Sequence, residues 1–220
     1  MALILLLSLV VWADDAPSPA LLLREGFDAA NSPIAARILR NKHVRRAVGG
    51  GRKGTDGVRV EYVGSERGSE RVVMQFILPT AVTEASLSYD VLFEDDFQFV
   101  RGGKLHGLGP ADPVVGGEKV EPDGWSARLM FLEQGKLRIY NYHQNLGKKY
   151  GEGPTAAKFR FEKNRFYRIT HHVRLNDPPS ASNGFAHVYV DGERLVENNE
   201  LRFRAVGGPH TLIRRFLVNT

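Results

Sequence analysis

Residues 125–142 read WSARLMFLEQGKLRIYNY, and this stretch decides the fold. Two runs of β-forming residues flank Glu133-Gln134-Gly135, a gap of the length and composition that closes an antiparallel hairpin. Within each run, side chains two apart share a face, because a strand turns successive side chains to opposite sides. Trp125, Ala127, Leu129 and Phe131 therefore fall together and read as core, while Ser126 and Arg128 take the other face. On the second run Tyr140, Tyr142 and, if the strand stays extended, Gln144 share a face. Paired as a hairpin, the two strands gather a hydroxyl, a guanidinium, two phenols and an amide on one polar and aromatic surface. Such a surface suits a sugar chain, with rings to stack on and donors for hydroxyls and carboxylates.

The same texture extends outward in both directions. Val58, Val60 and Tyr62 alternate with Arg59 and Glu61. RVVMQFIL over 71–78 is a buried-strand run that the sequence predicts to stop at Pro79, and ASLSYDVLF over 85–93 alternates again. DFQFV over 96–100 leads into Gly102-Gly103. Residues 165–175 form a long strand pattern, 185–196 enclose Asp191-Gly192, a strong hairpin signal, and 210–218 supply a last strand. There is no amphipathic helical pattern and no repeat of solenoid or propeller period. The predicted class is all-β, a jelly roll or β-sandwich of two antiparallel sheets, as a single domain over residues 14–220.

Bulk properties narrow the function. The chain has 220 residues, 42% of them hydrophobic, enough for one domain with a substantial core. It has no cysteine, so neither disulfides nor thiolate zinc sites contribute. Thirty Lys and Arg against 25 Asp and Glu leave a net charge of +5, which suits an acidic partner. The basic run from Ile38 to Arg46 reads as a solvated face. Met1–Ala13 reads MALILLLSLVVWA, an uncharged apolar run ending on a small residue before Asp14. This is the pattern of a secretory leader cleaved after Ala13, and it is too short to span a bilayer comfortably. The expectation is a protein secreted outside the cell or into a periplasm, monomeric, with no membrane association after cleavage. No nucleic-acid-binding motif is present.

Three pieces concentrate the chemistry: GGKLHGL over 102–108, DGWSARLMF over 123–131 and YNYHQN over 140–145. Each is common alone. In this order and spacing they resemble the polysaccharide lyase family 14 alginate lyases and related jelly-roll lyases, glucuronan lyases included. The likeness is strongest over Tyr89–Gln144. The resemblance implies a catalytic cleft built from Lys104, Ser126, Arg128, Tyr140 and Tyr142. Gln98, His106, His143 and Gln144 are the candidate substrate contacts beside it. His106 stands where the family pattern suggests a proline, which bears on the shape of that loop. The implied reaction is β-elimination on an acidic polyuronate. Arg128 would neutralise the substrate carboxylate, Tyr140 would be the leading acid or base, and Lys104 would serve as base or charge stabiliser, with Tyr142 and Ser126 positioning the sugar.

Other readings carry less. His171 and His172 are adjacent on a strand and face opposite ways, so they do not chelate. Glu94-Asp95-Asp96 is either a solvated turn or a calcium loop, and no cofactor or metal is otherwise expected. P-loop, zincin and nucleophile-elbow motifs are absent, and no shared carboxylate pair suggests a hydrolytic glycosidase. The alternative to an enzyme is a jelly-roll lectin that grips acidic glycans without cutting. A lectin needs no base, and the joint presence of Lys104, Arg128 and both tyrosines favours the enzyme.

Overall fold

The computed structural model describes residues 2–13, 20–29, 32–64, 66 and 72–220, with backbone alone for 2–13. Its strands form two sheets in which every pairing between strands is antiparallel. The larger has eight strands. Its order is β12 (Glu193–Leu201), β11 (Gly184–Val190), β10 (Phe166–Arg174), β6 (Glu84–Phe93), β1 (Ala2–Ala13), β4 (Gly57–Glu61) and β3 (Val44–Ala47), with β2 (Ala20–Glu25) paired to β1. The smaller has five, in the order β5 (Val73–Val82), β13 (Ile213–Asn219), β7 (Gly103–Gly109), β8 (Ser126–Phe131) and β9 (Leu137–Tyr142). The predicted jelly roll of two antiparallel sheets is the fold observed.

Alternation builds the core between them. From the larger sheet, Leu87, Tyr89, Val91 and Phe93 of β6 and Ile169 and Val173 of β10 point inward. They meet Ala127, Leu129, Phe131, Leu137, Ile139 and Phe216 from the smaller sheet. Phe93 and Phe131 touch edge to face, ring centroids 5.4 Å apart. Each such large apolar side chain contributes roughly 1.5–3 kcal/mol on burial. His171 also points inward, fully buried, while His172 faces out to Glu84 at 2.8 Å, as their adjacency requires.

The predicted hairpins form. Gln134 (φ 61°) and Gly135 (φ 72°) close β8 to β9, and Asp191 (φ 51°) and Gly192 (φ 90°) close β11 to β12. Residues 94–102, which include DFQFV, form no strand. Phe97 and Phe99 instead pin this loop by packing on Phe93 and Phe131. Pro79 does not stop β5. The strand lies at a sheet edge, where a missing donor is tolerated, and its register against β13 shifts around the proline. One short helix, α1 (Pro33–Ile38), is capped by Ser32 and begins on a proline.

Residues 2–13, read above as a leader, run here as β1 between β6 and β4. Both readings rest on one property, since a leader core and a central strand alike demand an unbroken apolar run.

Candidate active site

The β8–β9 hairpin sets the site by register. Ser126 lies opposite Tyr142, Arg128 opposite Tyr140 and Met130 opposite Arg138. On the other side of β8, β7 brings Lys104 opposite Met130 and Gly107 opposite Arg128. Three steps along β7 therefore match two along β8. This bulge returns Lys104 and Gly107 to the polar face while Leu105 and His106 both turn into the core. Gly107 lets Arg128 lie close over the strand: a Cβ there would sit 2.6 Å from Arg128 Cγ and 2.1 Å from the Ala127 carbonyl oxygen.

Arg128 is the centre of the arrangement. It is only 3% exposed, and its Nε and Nη2 have no hydrogen-bond partner among the described residues. Its guanidinium carbon stands 5.5 Å from the ring centroids of both Tyr140 and Tyr142. Burial lowers its pKa from the ordinary arginine value, and the two phenols oppose that shift. A buried cation with donors unspent is a seat for an anion, and a carboxylate fits its fork. Lys104 Nζ lies 3.3 Å from the Tyr140 ring centroid and 3.3 Å from Met130 Sδ. Burial first, and then its hydrogen bond with Tyr142, push the Tyr140 hydroxyl up to about 12. Tyr140 therefore holds its proton at neutral pH, which suits a proton donor.

Two segments wall the site. From the segment between β7 and β8, the Val114 carbonyl accepts the Ser126 hydroxyl at 2.7 Å, and the Gly117 amide donates to Tyr142 Oη at 2.9 Å. Val114 and Val120 pack with Met130, Tyr140, Tyr142 and Leu146 in a small apolar cluster separate from the main core. After β9, Gly151 lies so close to Tyr140 that a Cβ would sit 2.8 Å from its ring.

Lys104, Ser126, Arg128, Tyr140 and Tyr142 are thus brought together, with distinct duties. Arg128 and Lys104 both lie against the Tyr140 ring and make the candidate chemical centre. Ser126 and Tyr142 are both fully buried: the Ser126 hydroxyl donates to the wall, and the Tyr142 hydroxyl links the wall, through the Gly117 amide, to the Tyr140 hydroxyl. The four flanking candidates do not join them. His106 is a core residue between Tyr89 and Phe216, its Nδ1 accepting the Asn219 amide, because the β7 bulge reverses its direction. Burial lowers its pKa to about 3. The Gln144 amide donates to the carbonyls of Glu121, Gly124 and Phe203, clasping the wall. His143 is buried 3.5 Å from Glu152, and burial lowers its pKa. Gln98 is exposed on the loop before β7, and none of its hydrogen bonds among the described residues reaches the cluster. In the acidic run Glu94 forks onto Arg59, and no group of three His, Cys, Asp or Glu side chains that could hold a metal assembles among the described residues. Met130, which lies in the DGWSARLMF motif but is not among the site residues named from the sequence, stands against Lys104 on this face. Its position two residues past Arg128 placed it on the same face.

A family model described as polysaccharide lyase 14 matches residues 56–213. No curated protein sequence matches the chain. Among solved structures, it is similar to a double mutant of the alginate lyase Aly36B in complex with alginate trisaccharide, with 20% identity and a TM-score of 0.66 over 98% of this chain and 88% of that one. It is also similar to the PL-14 alginate lyase from Aplysia kurodai, with 22% identity and a TM-score of 0.52 over 72% and 76% of the two chains. The endo-beta-1,4-glucuronan lyase from Trichoderma reesei follows, with 14% identity and a TM-score of 0.52 over 80% and 73%.

Proposed function

The chain belongs to the polysaccharide lyase 14 family, and from that premise we propose that it cleaves an acidic polyuronate, alginate or glucuronan, by β-elimination. The observation that carries the reading is Arg128, a buried guanidinium with Nε and Nη2 unspent, set between two tyrosines and beside a lysine on one sheet face. The proton at C5 of a uronate is weakly acidic while the neighbouring carboxylate keeps its full charge. Arg128 pairs with that carboxylate and stabilises the charge that grows on it, a contribution of about 3–4 kcal/mol for a preorganised donor. Lys104, in its neutral amine form, takes the C5 proton and becomes an ammonium. The electron pair forms the C4–C5 double bond as the C4–O bond breaks, and Tyr140 donates its proton to the departing sugar oxygen. Each proton transfer contributes roughly 10²–10⁴-fold. Tyr142 and Ser126 keep the wall, and with it Tyr140, in place.

The test is a panel of mannuronate-rich alginate, guluronate-rich alginate and glucuronan, followed by the ultraviolet absorbance of the conjugated double bond. Rising absorbance on at least one polymer is expected. Binding without absorbance would identify a lectin and refute the lyase reading.

The chain acts as an exported monomer, with cleavage after Ala13. The support is the apolar, uncharged run that ends at Trp12-Ala13 before two aspartates. Secreted material should begin at or near Asp14 on N-terminal sequencing. Material beginning at Met1 or Ala2 would refute the leader and leave residues 2–13 as strand β1.

A further inference from the structure

The register of the smaller sheet runs unbroken from the chemical centre to the far edge. Tyr140 lies opposite Arg128, Arg128 opposite Gly107, Gly107 opposite Leu217, and Leu217 opposite Gln75. Directly opposed residues share a face, so this row crosses the surface that carries the site, over four strand spacings or roughly 19 Å. One step along, Gly109 lies opposite Arg215, and Arg215 opposite Ile77. At the end of these rows, where β5 is the edge strand, a hollow of about 500 Å³ wraps the edge between β5, β13 and helix α1, lined by Val73, Gln75 and Ile77 from the site's face and by Phe76 from the other. Its cations are Arg37 and Arg215, and no acidic residue lines it.

We propose that this hollow is a distal subsite of the same cleft, holding a uronate of the polymer a few sugars from the bond that breaks. The chemistry matches that occupant. Arg37 donates to the Gln75 carbonyl at 3.1 Å and lies 5.1 Å over the Phe76 ring, and Arg215 donates to the Ala111 carbonyl at 2.5 Å. Neither guanidinium has a carboxylate partner among the described residues, and each spends one donor on a backbone carbonyl, which leaves donors for an incoming anion. Beside them Val73 and Ile77 are 55% and 61% exposed, an apolar wall for the C–H face of a pyranose ring. A free inorganic anion would use the cations and leave that wall unexplained.

The inference rests on the polyuronate reading, and its test separates the two. Arg37 is exposed on α1, outside both the core and the chemical centre, so Arg37→Glu is expected to fold normally. On polymer its KM should rise about 1.5- to 5-fold with kcat unchanged, the range for an exposed charged contact. On a uronate trisaccharide, too short to reach from the reacting sugar to the hollow, KM should not move. An equal change on both substrates, or none on polymer, overturns the subsite while leaving the lyase intact. Calorimetry of polyuronate binding to Tyr140→Phe protein, with and without Arg37→Glu, reads the subsite without turnover. Weaker binding in the double variant supports it, and unchanged binding overturns it, whichever way the cleavage test falls.

Discussion

Replacing Arg128 by methionine should make the empty protein more stable while abolishing its chemistry. Nε and Nη2 are buried without partners, and stranded donors cost about 1–3 kcal/mol each. Against that stand the contacts of the guanidinium with the Tyr140 and Tyr142 rings at 5.5 Å, worth about 0.5–2 kcal/mol each. Methionine keeps the packing of the stem and removes the charge. Replacement of buried ionic groups by apolar residues of similar volume is often stabilising by about 1–4 kcal/mol. Setting the two sides together, the expected net gain is about 1–2 kcal/mol, near the bottom of that range. In a chain of this size it raises Tm by roughly 2–8 °C. Turnover should fall by roughly 10²–10³-fold, the loss of one preorganised charge partner. Calorimetric melting and initial-rate absorbance measure both. Wild-type protein should also gain Tm on adding polyuronate, as any ligand specific to the native state requires, and the variant should gain much less. A variant that melts lower than wild type and keeps more than a tenth of its turnover would refute the view of Arg128 as an unspent cation held for substrate.

Tyr140→Phe keeps the ring and removes the proton, so kcat should fall roughly 10²–10⁴-fold with KM nearly constant, and retention of a tenth of the activity would exclude it as the acid. Because its hydroxyl is pushed up to about 12, above the ordinary 10, the acid remains protonated past pH 10, and any loss of kcat from its ionisation should begin only beyond that point. Ser126→Ala breaks the buried bond to Val114 and should cost about 1–2 kcal/mol of stability with a smaller loss of kcat than Tyr140→Phe; collapse of kcat at unchanged Tm would instead place that hydroxyl on the substrate. His171 is buried without partners, and burial lowers its pKa to about 3. The unfolded chain takes up a proton below pH 6.5 and the folded chain does not, so this stability is present above 6.5 and declines by about 1.4 kcal/mol per pH unit as pH falls toward 3. Urea denaturation should show a shallower decline in His171→Leu between pH 6.5 and 4.5, and an identical slope would show that His171 is not buried as a neutral ring.

What the sequence alone determined was whatever depends on neighbours along the chain. Alternation assigned Trp125, Ala127, Leu129 and Phe131 to the core and Ser126, Arg128, Tyr140 and Tyr142 to one outer face, because a strand has only two sides. Glu133-Gln134-Gly135 and Asp191-Gly192 carried their hairpins, because backbone of positive φ is needed there and residues that tolerate it are supplied. What only the tertiary structure decided depends on residues far apart. The extra residue in β7 exists only relative to β8, and it turns His106 inward against Tyr89 and Phe216, where alternation along β7 would have kept it with Lys104. Ser126 and Tyr142 share a face with Arg128, yet the Ser126 hydroxyl is bound to Val114 and the Tyr142 hydroxyl is held by Gly117, since that segment returns over them from another part of the chain. Gln144 shares that face by parity, but its amide closes on the carbonyl of Phe203, 59 residues away. Strand periodicity names the side of a sheet on which a group stands. Whether that group meets substrate or holds a loop is set by which distant segment folds back onto it.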